Sequence, residues 1–183
     1  MLMDFQTVLQ TRRSVRSFAR KDIPEEALRR ILEAARVAPS ACNFQPWRFI
    51  VVKDAGMKGK LAAASKGQSS VAAAAVVIVC CGKKYKNPYN WMGPVLYLLD
   101  VAIAIDHMTL AARNEGIGSV WIGAFDQEPI RKLLAIPADH DVVMLLPLGY
   151  PAGGEAFHAT TERLPMEEVA YRERFGEPML EDR

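Results

Sequence analysis

The sequence is poor in the residues that build covalent or metal-held scaffolds. Only three cysteines occur in 183 residues. Cys80 and Cys81 are neighbours in an apolar run, and Cys42 stands alone. No C-x-x-C pair exists, so neither a zinc site nor a disulfide framework is expected. The three histidines, His107, His140 and His158, are scattered without ligand spacing, which argues against a metal centre. An excess of one charge is also missing. The formal net charge is +2, too mild for a nucleic-acid binder, which concentrates a larger basic excess on one face. The apolar runs at 71–81 and 95–105 are too short or too interrupted to span a bilayer, so no membrane association is expected. Met1-Leu2-Met3-Asp4 lacks a basic region followed by an apolar core; no signal peptide is expected, and the cytoplasm is the expected compartment. Phosphate-cradling and nucleophile motifs are absent as well, with no G-K-[ST] and no G-x-S-x-G. Gly116-Ile117-Gly118 begins like a dinucleotide fingerprint. Gly123 comes too late, however, and the motif leaves a helix to enter a strand, the reverse of a Rossmann turn.

What remains is a chain that is half hydrophobic, long enough for one domain with a real core and free of repeats or linkers, so 1–183 reads as a single unit. Asp4 is placed to cap a short helix carrying Phe5, Val8 and Leu9 on one stripe. Pro24 opens a second helix, with Leu28, Ile31, Leu32 and Ala35 as its buried face and Pro39 beyond its end. Trp47–Val52 reads as a strand, 57–65 as a weak alanine-rich helix and 66–70 as a loop. Val76–Cys81 is an apolar strand from the middle of a sheet. After a basic excursion at 83–90, Pro94 opens a long helix to about Asn114, stopped by Gly116. That helix is apolar around most of its circumference, so it is either central or partly covered by a second subunit. A third strand at 119–122, a helix opened by Pro129, a fourth strand at 142–148 and a polar amphipathic tail helix near 166–175 complete an α+β or mixed α/β domain.

Between the first two helices lies Thr11-Arg12-Arg13-Ser14-Val15-Arg16-Ser17-Phe18. Arginine forks match phosphate oxygens in pairs. In an extended stretch Arg12, Ser14 and Arg16 project to one side. Two cations flanking a hydroxyl make a site for a ligand with an anionic end; the bland alternative is a solvated basic loop.

Four segments, taken together and in order, resemble the nitroreductase family of FMN-dependent oxidoreductases. They are Arg12 to Phe18; Ala38-Pro39-Ser40-Ala41-Cys42-Asn43-Phe44-Gln45-Pro46-Trp47-Arg48-Phe49; Gly116-Ile117-Gly118-Ser119-Val120-Trp121-Ile122-Gly123-Ala124-Phe125; and Arg163-Leu164-Pro165. The match runs from about residue 4 to 165. It implies an α+β fold, a nitroreductase-like α/β sandwich whose central mixed, mostly antiparallel sheet is flanked by helices, in a domain-intertwined homodimer with FMN at the subunit interface. The tail, about 160–183, would pack on the partner.

By the same resemblance Arg12 holds the FMN phosphate, Arg13 and Ser14 the phosphate and ribityl region, and Arg16 the pyrimidine edge, where a cation offsets negative charge arriving with hydride. Pro39, Ser40, Ala41 and Asn43 reach the flavin of the other subunit. Gly123 and Ala124 bring backbone N–H groups to N5, with glycine where some relatives carry an acid. Gln68 meets the pyrimidine edge, with Lys66 and Ser69 as equal alternatives. Arg163 is the second phosphate arginine, and Thr161 stands where many relatives have another cation. Tyr89, Trp91, Met92 and Phe125 are candidates to line the acceptor pocket; Lys83, Lys84 and Lys86 are candidates to attract nicotinamide phosphates. Nothing in the sequence activates Cys42, which reads as a bystander thiol.

The activity implied is transfer of hydride from NADH or NADPH through FMN to nitroaromatics, quinones or similar planar acceptors in a ping-pong sequence, with no essential acid–base side chain. No ribose-selecting acid distinguishes NADH from NADPH, and the physiological acceptor is left open. The alternatives are an FMN-binding redox sensor or carrier, or a flavin-consuming or dehalogenating member of the fold. A substrate-ordered lid would mark a dehalogenase, and none is evident.

Overall fold

A computed structural model describes residues 3–85, 92–153, 156–159 and 162–179. Helix α1 covers Phe5–Thr11, with Asp4 accepting from the Thr7 N–H as its cap. Helix α2 is Glu25–Arg36, its acidic first turn facing the positive helix end. A single 3-10 turn at Ala41–Asn43 leads into β1, Trp47–Val52. Then come α3 (Ala55–Ala64), α4 (Ser69–Ala73) and β2 (Val76–Lys83). Helix α5 spans Leu96–Asn114 and is followed by β3 (Gly118–Ser119), α6 (Gln127–Leu133), β4 (His140–Gly149) and α7 (Met166–Val169).

The strands form one sheet in the order β1-β2-β4-β3, every named pair antiparallel. Strand β2 lies at its centre, and its period-2 alternation divides it between two cores. Val76, Ile78 and Cys80 join α2 and α5 on one face, while Val77, Val79 and Cys81 face the layer of α3, α4 and α6. Burial on both sides explains the unbroken apolar run. The β4 pairing slips where Cys80 faces Met144 but Cys81 faces Val142. Val143 is therefore the extra residue of a bulge. It lets Val142 and Leu145, three apart, share a face.

Several expected elements changed. Ser69–Ala73 is a short helix rather than loop. The carbonyls just past its end have an outside partner: the buried Lys58 ammonium donates to those of Ala74 (2.6 Å) and Ala75 (3.2 Å). The third strand shrinks to Gly118–Ser119 plus one bridge from Ile122 to Leu145. The tail helix keeps only Met166–Val169, since its polar sequence finds little in this chain to pack on. The prolines stand near the starts of their helices, with Pro24 just outside α2 and Pro129 inside α6.

Helix α5 buries Val101, Ala104, Ile105, Met108 and Ala112, while Val95 at its cap and Leu99 and Ile103 within it are 39–45% exposed. Those three lie four residues apart, on one stripe. Among the described residues no helix is long and apolar enough to cross a membrane.

Candidate functional site

The arginine segment is laid across the end of the sheet. Ser14 forms a parallel bridge to Ser119, and the Val15 N–H donates to the Ser119 carbonyl at 2.9 Å. Further on, the Ala19 N–H donates to Tyr150 (2.8 Å) and the Ala152 N–H to Ser17 (3.1 Å). Val15 and Phe18 point inward and are buried. They fit because the floor beneath them is glycine. A Cβ on Gly118 would lie 2.7 Å from Val15 Cβ, and one on Gly149 would lie 2.8 Å from Phe18 Cδ1. With these anchors inside, Ser14, Arg16 and Ser17 face outward.

Arg13, Ser14, Arg16 and Ser17 line one side of a cavity of about 380 Å³, with Pro151 and His158 opposite. Arg13 Nη1 donates to the Arg12 carbonyl at 2.8 Å, but its Nη2 is buried and has no hydrogen-bond partner. A buried charged donor left unpaired is expensive. Arg12 is half-buried and outside that lining. Arg113, missed in the sequence because it reads as an ordinary helix-end cation, sits behind the segment. It is 8% exposed, donates from Nε to Thr11 Oγ1 at 2.9 Å and lies over the Phe157 ring. Burial lowers its pKa from the ordinary arginine value.

From β3 the chain passes Trp121, which is partly exposed, to Gly123 and Ala124, which are exposed. Gly123 is not forced by packing, since its nearest neighbour to an added Cβ is Met144 at an ordinary 3.6 Å. Phe125 packs into the second core, which makes it a wall rather than a free surface. The Asp126 N–H donates to the Ala64 carbonyl at 2.9 Å. That bond brings the end of α3, and with it the Lys66–Ser69 turn, beside Gly123–Phe125. In this turn Gln68 is half-buried while Lys66 and Ser69 are exposed. The Ser70 hydroxyl, also missed, is buried without a partner.

Pro39, Ser40, Ala41 and Asn43 gather elsewhere. The Ala41 N–H donates to Asp100 Oδ1 at 2.9 Å, in the second turn of α5, whereas the arginine segment meets Arg113 in its last turn. At 1.5 Å per residue these anchor points lie about 20 Å apart along the helix. The loop and the arginine segment therefore do not converge within one chain. Arg163 is exposed, its Nη1 donating to the Glu162 carbonyl. Its neighbourhood exposes Leu164, Met166, Val169 and Phe175.

Met92 is half-buried, its carbonyl accepting from the Val95 N–H. Tyr89, Trp91, Lys86 and Thr161 lie outside the described residues. Lys84 Nζ sits 2.9 Å from Asp141, and Lys83 Nζ is 4.0 Å from Asp139. Tyr97 also donates to Asp141, and these bonds outweigh burial to hold that carboxyl below its ordinary value. Cys42 is exposed. Burial raises the Cys81 thiol to about 11, and burial followed by its neighbour Cys81 raises Cys80 further, so neither forms a thiolate near neutral pH. Among the described residues no group of three His, Cys, Asp or Glu side chains could hold a metal.

The nitroreductase family model matches residues 9–150. An Archaeoglobus fulgidus protein bearing the provisional name NADH dehydrogenase/NAD(P)H nitroreductase is 37% identical over 174 residues, covering 92% of this chain and 97% of its own. The iodotyrosine deiodinase of Thermotoga neapolitana is 29% identical over 157 residues, covering 76% and 84%. The crystal structure of a nitroreductase family protein from Clostridium difficile superposes with a TM-score of 0.82 at 29% identity, over 94% of this chain and all of that one. The matched stretch takes in three of the four motif segments and both cores, and the chain belongs to the nitroreductase family of oxidoreductases.

Proposed function

We propose that this protein is an FMN-dependent oxidoreductase passing hydride from NADH or NADPH to planar acceptors such as quinones and nitroaromatics, in two half-reactions at one site. The observation that carries this is the buried Arg13 Nη2, a charged donor without a partner in the wall of a cavity shared with Ser14, Arg16 and Ser17. An anionic ligand completes that donor set, and the flavin's phosphate fits it. When bound, FMN supplies the hydride chemistry. Arg13, Ser14 and Ser17 hold its anionic end, with Arg12 beside them and Arg113 adding fixed positive charge behind. Arg16 offers a cation to the electron-accepting ring system, and a preorganised charge there favours reduction without reorganisation cost. Gly123 and Ala124, exposed beside the Gln68 turn, present backbone N–H groups. The name of the archaeal relative supports a nicotinamide donor.

A homodimer is supported by the exposed α5 stripe of Val95, Leu99 and Ile103. It is supported too by the separation of the Pro39–Asn43 loop from the arginine segment, which a second copy's loop resolves. The tail with Arg163, rich in exposed apolar groups, then has a partner to cover it. A second reading, reductive dehalogenation of a halophenol, is favoured by the deiodinase relative.

The test is a visible spectrum of FMN-reconstituted protein, taken anaerobically before and after NADH or NADPH and again after a quinone, a nitroaromatic or iodotyrosine. Bleaching by a nucleotide and recovery with a quinone or nitroaromatic support the reading; recovery with iodotyrosine and release of iodide move it to the dehalogenase. Arg13→Gln is expected to weaken FMN binding by about ten- to a hundredfold, the worth of one charged hydrogen bond. Wild-type protein that takes up no FMN, or an R13Q variant binding as tightly as wild type, refutes the assignment.

A further inference from the structure

Asp100 is an acid on the core-facing side of α5, only 3% exposed. A carboxylate in that position is tolerated only if its oxygens are hydrogen-bonded. Oδ1 accepts from the Ala41 N–H at 2.9 Å and Oδ2 from the Tyr85 hydroxyl at 2.5 Å. No ion pair reaches Asp100 among the described residues. These two donors are neutral, and they come from different segments. Ala41 belongs to the loop assigned to the cofactor. Tyr85 follows Lys84 and precedes, in sequence, the acceptor candidates Tyr89, Trp91 and Met92.

The loop needs such a support. Cys42, Asn43 and Gln45 adopt φ of 48°, 56° and 49°, a left-handed conformation that non-glycine residues hold only where their surroundings over-determine it. Ser40 supplies part of that: its Oγ accepts from the Gln45 N–H at 2.9 Å and its carbonyl from the Asn43 N–H at 3.0 Å. These bonds lie within the loop. Among the described residues the Asp100 bond is the hydrogen bond that ties this stretch to core helix α5. On the outer side the Phe44 and Tyr85 rings lie 4.6 Å apart at 30°, a shelf at the edge of a cavity of about 300 Å³ with Arg48 and Lys84 on its rim. Tyr85 is drawn down to Asp100 by its hydroxyl, and its ring in turn sets Phe44.

We infer that Asp100 is a positioning residue. Through its two oxygens it fixes the backbone of Pro39–Asn43 and the Phe44–Tyr85 shelf in one frame, and the shelf stacks planar aromatic acceptors. This rests on the flavin reading above. It predicts that a change at Tyr85 reaches the Ala41 backbone through this carboxylate.

The experiment uses the FMN-loaded protein with NADH as donor and menadione as acceptor. Tyr85→Phe removes one arm; it should raise the menadione KM by about tenfold while FMN affinity, which depends on the retained Ala41 arm, is unchanged. Asp100→Ala removes both arms and should raise the menadione KM and weaken FMN binding, each by about tenfold. Asp100→Asn keeps an oxygen for the Ala41 N–H and should recover FMN affinity toward wild type. Y85F with the wild-type KM, or D100A altered in thermal midpoint alone, overturns the inference. If D100A does not fold, Y85F decides by itself. Wild-type protein without FMN removes the flavin reading and this inference together; wild type that binds FMN alongside unaltered variants removes only the inference.

Discussion

Gly118→Ala tests the tight docking of the arginine segment. The added Cβ would stand 2.7 Å from Val15 Cβ and 2.8 and 2.9 Å from its two methyls. Because Val15 Cβ is fixed by the backbone, no rotamer relieves the contact; the segment itself must retreat by about 0.7 Å to reach ordinary contact. Overpacking of this kind costs about 1–3 kcal/mol. Loss of glycine's unfolded-state freedom returns about 0.4–1 kcal/mol, so a net loss of about 1–2 kcal/mol is expected. It should appear as a lower urea midpoint at unchanged m-value. The same displacement moves Ser14 and Arg16, and FMN affinity measured by flavin fluorescence quenching should fall by about tenfold. Val15→Ala, which keeps Cβ, should rescue only in part; Val15→Gly should restore FMN binding in the double variant. Gly59→Ala is the control: that residue lies in α3 with nothing within 4 Å of an added Cβ. It should be neutral or slightly stabilising. A G118A protein with wild-type midpoint and FMN affinity would show that the segment is not held where the ligand needs it.

Leu99→Asp places a charge in the centre of the exposed α5 stripe. Sedimentation should report monomers that retain helical circular dichroism but lose FMN, and a flavin-bound dimer would contradict the proposed interface. Glu115→Gln addresses the pair joining α2 to the end of α5, where Arg30 Nε and Nη2 donate to the two carboxylate oxygens at 2.6 and 2.8 Å. The hydrogen bond from Arg30 holds the Glu115 carboxyl below its ordinary 4.5, so the unfolded chain takes up the proton first as pH falls. The pair's stabilisation is therefore complete above about pH 4.5 and disappears as pH drops through the folded value. Urea midpoints of wild type and E115Q should differ at neutral pH and converge in acid; a gap independent of pH contradicts the linkage.

Much of the architecture was legible because it rests on local periodicity. Strand β1 at Trp47–Val52 and the apolar run of β2 are visible in the order of residues, as are the capped start of α1 and the long α5. The arginine segment stood out for the same reason, since clustered guanidinium groups are a property of composition. The short α4 was hidden because alanine and serine carry no amphipathic signal over five residues. The β4 bulge was hidden because only pairing with β2 reveals that Val143 is extra. Asp100 left a trace, a lone acid on an apolar helix face, but its meaning depends on which distant N–H and hydroxyl reach it.

The sequence by itself determined most of the helices and strands, the clustering of guanidinium and hydroxyl groups at Arg12–Ser17 and the family resemblance, because propensity, periodicity and residue type act over a few neighbouring positions. Tertiary structure alone decided that Arg13 is the member left with a buried, unpaired donor, that Gly118 and Gly149 form the floor of the segment, and that Arg113 stands behind it. It alone set the Pro39–Asn43 loop about 20 Å along α5 from the arginines. These facts follow from packing between residues far apart in the chain, where excluded volume and hydrogen-bond satisfaction choose the partners.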